Sequence, residues 1–312
     1  MNMLNMKHII IAALAAASLA ACGGGGNSAP ATAPSTLPQE PGAPTFLGDT
    51  AIDGLNWINY RRGQAGMPVL LHNTLIDKAA QGHSAYQKTN NTVTHVQVAG
   101  KPGFTGVGLL DRLTAAGYVF GNSAYAYGEV ISATASTSGF VMAEDLITAI
   151  YHRFVIFEPK FKEIGTGSAV TSAGYTYFTS NFTANNGYGP GLGAGNLVTW
   201  PFQGQTKVLT NFFSDDEAPD PVPNVNEVGY PISVHADINA LLRVATFSVR
   251  ERGAANVLAV RLLSGLSDPD APQSAAAIIP LSVLKGATTY DVSFSGTVDG
   301  AAVSRDWSFT TK

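Results

Sequence analysis

The chain carries a single cysteine, Cys22, in 312 residues. No intramolecular disulfide can form, so any fold must be held by apolar packing and hydrogen bonds alone. The position of that cysteine is informative as well. It follows an apolar stretch, Ile9–Ala20, made mostly of Ile, Ala and Leu, behind a weakly positive start at Lys7 and His8. A helix needs about 20 apolar residues to span a bilayer. This stretch is too short for that and has the dimensions of a signal-peptide core. No other segment is apolar enough to cross a membrane.

The run Leu19-Ala20-Ala21-Cys22 resembles the lipobox of bacterial lipoproteins. The resemblance implies removal of residues 1–21, a lipid on the Cys22 thiol, and a place in the cell envelope with a membrane as partner. A lone thiol exported to an oxidising compartment is otherwise a liability. The formal net charge is −4, and Lys7 leaves with the signal peptide. This mildly acidic balance argues against nucleic acid and against an electrostatic hold on anionic lipid. Residues 22–46 are mostly Gly, Ala, Pro, Ser and Thr, with one acid, Glu40, and almost no apolar bulk, and read as a flexible linker.

From Thr50 the pattern changes. Ile52, Leu55, Trp57 and Ile58 suit an amphipathic helix ended by Gly63 and Gly66. A second helix is expected from Thr74 as N-cap, a short third over 111–116 stopped by Gly117, and a fourth over 143–154. Strand-like runs lie at 127–131 and 175–182. Helices mixed with strands, without regular βαβ alternation, predict an α+β layered domain over 47–186. A Gly-, Pro- and acid-rich connecting region is expected over 187–224, with Asp215-Asp216-Glu217 as a solvated loop. Beyond it the texture is β. Tyr290, Val292 and Phe294 alternate with polar residues, and Asp299-Gly300 marks a tight turn. These features predict a small β-sandwich over 225–312.

The first domain resembles the CAP superfamily of cysteine-rich secretory, antigen and pathogenesis-related proteins, in its bacterial branch. The marks are Thr94-His95, Asp111-Arg112, Ala116-Gly117-Tyr118, Gly128-Glu129, Tyr151-His152-Arg153, Pro159 and Ile164-Gly165-Thr166-Gly167. The resemblance implies an α-β-α sandwich. It also implies a cavity of two histidines and two acids, which in some members binds a divalent metal. His95 and Glu129 fall on the first histidine and the first acid, and His152 on a histidine particular to bacterial members. The second acid falls near Ala149 and the second histidine near Tyr177, so both are missing. The usual glutamine of the last strand is Ser180. His95, Glu129 and His152 are therefore expected in one cleft, with weak metal binding through His95 and His152. Glu129 is expected to pair with Arg153 or Arg112. The C-terminal part, with Leu284-Lys285-Gly286 before Tyr290 and Trp307-Ser308-Phe309-Thr310-Thr311 at the end, resembles bacterial immunoglobulin-like modules. The resemblances imply a non-enzymatic binder of a lipid or peptide, with a metal-assisted hydrolase acting on peptide or cell-wall material as the alternative. Histidines beside a carboxylate can support either chemistry.

Overall fold

The structure is a computed structural model that describes residues 40–312. The expected signal peptide, Cys22 and the linker as far as residue 39 lie outside the described residues. The N-terminal part runs α1 (Thr50–Gln64), β1 (Leu71–His72), α2 (Thr74–Asn90), α3 (Leu109–Ala116), β2 (Ala126–Thr134), α4 (Gly139–Thr148), α5 (Ile150–Ile156), β3 (Glu163–Val170) and β4 (Thr176–Ala184). Helix α1 starts where the Asp49 carboxylate accepts the N–H groups of Ala51 and Ile52. Helix α2 is capped by Asn73 rather than Thr74, because the Asn73 side chain accepts the Leu75 N–H from an extended backbone. Gly117 ends α3 in the left-handed conformation that glycine adopts without steric penalty.

The four strands form one sheet in the order β1-β3-β4-β2, antiparallel except for the β1–β3 pair. Alternation along its strands decides what each face meets. One cross-strand row is Gly165, Asn181 and Glu129; the next is Ile164, Phe182 and Gly128. Helix α2 lies against the first face so closely that a Cβ on Gly165 would sit 2.3 Å from the Asp77 nitrogen, and one on Gly167 2.2 Å from that of Gln81. Only glycine permits this approach. The opposite face carries α1 and α5: a Cβ on Gly54 of α1 would strike the Phe178 ring, and one on Gly128 would lie 2.7 Å from Val155 of α5. Helix α4 packs on α1. The result is the α-β-α sandwich, with α2 and α3 on one side and α1, α4 and α5 on the other.

The C-terminal part adds β5 (Val198–Trp200), β6 (Asn211–Phe213), β7 (Glu227–Gly229), β8 (Ile232–His235), β9 (Leu242–Glu251), β10 (Val260–Ser264), β11 (Ala275–Pro280), β12 (Thr289–Val298) and β13 (Ala301–Thr310). A four-stranded sheet, β10-β11-β8-β5, faces a three-stranded one, β13-β12-β9, beside the short β6–β7 pair. The alternation read at Tyr290, Val292 and Phe294 points these side chains into the core with Val249, Trp307 and Phe309. The connecting region is more than a spacer, since it supplies β5 and β6.

The two parts share one apolar core, a continuous cluster from Leu55 in α1 to Phe309 in β13. Polar contacts cross the same boundary. The buried Arg153 guanidinium donates to the carbonyl of Pro231 at 2.7 Å, and the Glu158 carboxylate accepts the Ile238 N–H at 3.0 Å. The Tyr151 hydroxyl donates to Asp268 at 2.6 Å. Arg61 stacks over Trp57 and Trp200 while binding Glu40 and Glu144.

Candidate functional site

Glu129 stands on β2 facing the α2–α3 layer, nearly sealed from solvent. Arg112, from the buried side of α3, lays one amino nitrogen 2.8 Å from each of its carboxylate oxygens. The other amino nitrogen donates to the carbonyls of His95 and Val107, at 3.0 and 3.2 Å. Burial pushes the Glu129 pKa up. The Arg112 charge and the bond to His95 outweigh it and hold the carboxyl at about 2. Glu129 is thus a fixed anion around neutral pH and a poor proton acceptor.

His95 follows α2 in the loop over 92–108. Its Nδ1 lies 2.9 Å from Glu129 Oε1, and its side chain is 33% exposed. Nε2 is the nitrogen left to meet a ligand. His83, one layer deeper on α2, is completely buried. Its Nε2 lies 2.7 Å from the Thr94 carbonyl, which can only accept, so Nε2 carries the proton; Nδ1 then accepts from Gln97 Nε2 at 3.0 Å. Burial lowers the His83 pKa to about 4 despite the nearby Glu129. Gln97 also accepts the Thr105 N–H at 2.7 Å and closes the base of the loop with its own N–H on the Val107 carbonyl. Val93, Val96 and Val107 stand exposed around His95. The importance of Gln97 was not visible in the sequence, although an amide two positions beyond His95 was the available signal.

The structure brings His95 and Glu129 together and keeps His152 apart from them. His152 sits on α5, on the opposite face of the sheet, because Gly128, which supports α5, and Glu129 are neighbours on one strand and point opposite ways. His152 Nδ1 instead lies 2.9 Å from Glu217 Oε1. The same carboxylate accepts the N–H groups of Ile150, Tyr151 and His152 at 2.7, 2.7 and 3.1 Å. Glu217, expected in a solvated loop, is buried as the cap of α5. Arg153 is not the partner of Glu129 either; Arg112 takes that role. A metal shared by His95 and His152 does not fit this geometry. Near His95, both His83 nitrogens are engaged and Glu129 is already neutralised by Arg112. Among the described residues, no three His, Cys, Asp or Glu side chains are arranged to hold a metal ion.

Two hollows in the surface are lined by other residues. One is bounded by Leu71, Leu75, Tyr118, Val119, Lys162 and Glu163. Another lies on the outer face of the last sheet, near Arg250, Asp291 and Asp306.

Comparison with known proteins finds a family match within the first part of the chain. Residues 55–182 match the model of the cysteine-rich secretory protein family, CAP. No curated protein matches the chain. Among solved structures, an extracellular SCP-domain protein of Bacillus anthracis is 25% identical over 43% of this chain and 39% of its own, with a TM-score of 0.35. An outer surface protein of Borrelia burgdorferi is 15% identical over 42% of this chain and 90% of its own, with a TM-score of 0.35. Venom allergen-like protein 4 of Schistosoma mansoni is 12% identical over 45% of this chain and 92% of its own, with a TM-score of 0.30. The chain thus spans well under half of the Bacillus protein. Over residues 55–182 the chain is thus similar to the cysteine-rich secretory protein family, CAP.

Proposed function

We propose that the protein is a lipid-anchored envelope protein whose CAP domain binds a ligand at the His95 surface without transforming it. The ligand class is an amphiphile, a lipid or peptide that pairs an apolar segment with a polar head. The observation that carries this reading is the state of the Glu129–His95 pair. Arg112 fixes Glu129 as an anion, and Glu129 in turn fixes the His95 ring, leaving Nε2 displayed among exposed valines. A pre-oriented imidazole beside apolar side chains recognises by hydrogen bond and burial. Held well below the usual carboxylate range by Arg112, Glu129 itself is unsuited to be the general base of a hydrolase. The anchor rests on Cys22 after Leu19-Ala20-Ala21, and the paired C-terminal sheets support the reading of an immunoglobulin-like module that displays the CAP domain.

Dodecanoate is a suitable probe, since it joins one polar head to an apolar chain. In calorimetric titration, His95→Ala should weaken its binding about tenfold, the worth of one hydrogen bond involving a charged group. His152→Ala should leave binding unchanged. Equal affinity in wild type and His95→Ala would overturn the assignment.

A further inference from the structure

Residues 78–110 comprise α2 beyond its first turn, the loop that folds back on it, and the start of α3. The stretch holds Lys78, Lys88 and Lys101 but neither Asp nor Glu, in a chain of net charge −4. None of these lysines is in an ion pair among the described residues. The acids that bound the stretch are occupied. Asp77 accepts the Thr166 N–H at 2.8 Å and pairs with His72, and Asp111 accepts the Gly108 N–H at 2.9 Å. Glu129, beneath the loop, is neutralised by Arg112.

Within this stretch, residues 96–107 form a braced finger. Its base is closed by Gln97 on Val107 and Thr105, and its tip by the Lys101 N–H on the Val98 carbonyl and the Phe104 N–H on that of Lys101. Gly100 and Gly103 supply the positive φ angles the tip requires. The finger is tied along α2: the Val98 N–H donates to the Tyr86 hydroxyl at 3.0 Å, and Asn90 Nδ2 donates to the Pro102 carbonyl at 2.9 Å. Lys78, Gly82, Tyr86 and Asn90 follow at intervals of four, so Lys78 continues the stripe of α2 on which the finger rests. At the tip, Val98 is 58% and Phe104 38% exposed, on either side of the exposed Lys101.

Apolar side chains held out on a rigid loop, amid cations and without acids, have the composition of an interfacial membrane contact. We propose that this finger docks the protein on an anionic lipid surface. Val98 and Phe104 enter the headgroup region, and Lys101 and Lys78 face lipid phosphates. The acidity of the whole chain conceals this local balance.

The test uses the full chain with Cys22→Ala, which removes any attached lipid, so failure of the anchor assignment would not affect it. Sedimentation with phosphatidylglycerol-containing vesicles should exceed that with pure phosphatidylcholine vesicles by roughly tenfold, and added salt should reduce it. Lys101→Glu should lower binding several-fold. Val98→Ser with Phe104→Ser should abolish it while the far-ultraviolet circular dichroism stays that of the parent. Lys285→Glu, on the C-terminal part, should sediment like the parent. Three results would overturn the proposal: no binding to anionic vesicles, equal binding to both vesicle types, or undiminished binding by both finger variants. Self-association of the parent that the double substitution removes, without vesicle binding, would assign the finger to a second copy of the chain instead.

Discussion

At the scale of single residues, the site is an arrangement of charges around Glu129. Arg112 supplies the compensating cation, and buried pairs of this kind are strongly destabilised when one partner is removed. His95 and Glu129 were legible because family resemblance placed them. The inner network was not, since nothing in the sequence says that Gln97 bridges His83 and Thr105. His83 offers a direct test of that network. Its pKa is lowered, so the unfolded chain binds more protons between about pH 4 and 6.5, and its stabilising contribution is lost as pH falls through that window. Glu158, raised by burial to about 8, acts in the opposite sense on total stability. The useful quantity is therefore the difference between wild type and His83→Gln in urea unfolding. That difference should be largest at pH 7 and shrink by up to about 3 kcal/mol towards pH 4. A difference independent of pH would show that His83 is not held neutral.

Among the elements, the helices were readable where apolar periodicity and caps coincided, as at α1 and at Gly117 after α3. One expected helix over 143–154 is instead two, broken at Ala149, whose ψ of 121° is extended. The reason is not local. Glu217, far along the chain, captures the N–H groups of Ile150, Tyr151 and His152, which a continuous helix would have bonded to its own previous turn. Strand β3 was missed as well, because Gly165 and Gly167 remove the apolar alternation just where α2 must approach. The cap predicts a large effect from a residue in an otherwise polar run. Glu217→Ala should destabilise the protein by about 3 kcal/mol, the worth of charge-assisted bonds to buried N–H groups. It should also speed amide hydrogen exchange at Ile150, Tyr151 and His152 before other helices respond. A loss under about 0.5 kcal/mol would mean that Glu217 is the solvated loop residue its neighbours in sequence suggest.

Across the whole molecule, the central sheet decides which predicted residues can act together. It gathers Glu129, His95, Arg112 and the finger on the α2–α3 side. It turns His152 and Arg153 to the other side, where they hold the C-terminal sheets through Glu217 and Pro231. The layered architecture could be anticipated from the mixture of helices and strands, and the β texture after residue 225 from turns and alternation. The face of each residue could not, because a strand assignment without register leaves the side undetermined. The two histidines are thus separated by the sheet: His152 joins the two parts through Glu217, and the ligand proposed above falls to His95 alone. Nitrogen NMR of the imidazoles during titration with dodecanoate tests this division most directly. The His95 Nε2 resonance should move with ligand while the His152 resonances stay in place, and Glu217→Gln should move only those of His152. Joint movement of His95 and His152 with ligand, or movement of His152 alone, would contradict the account.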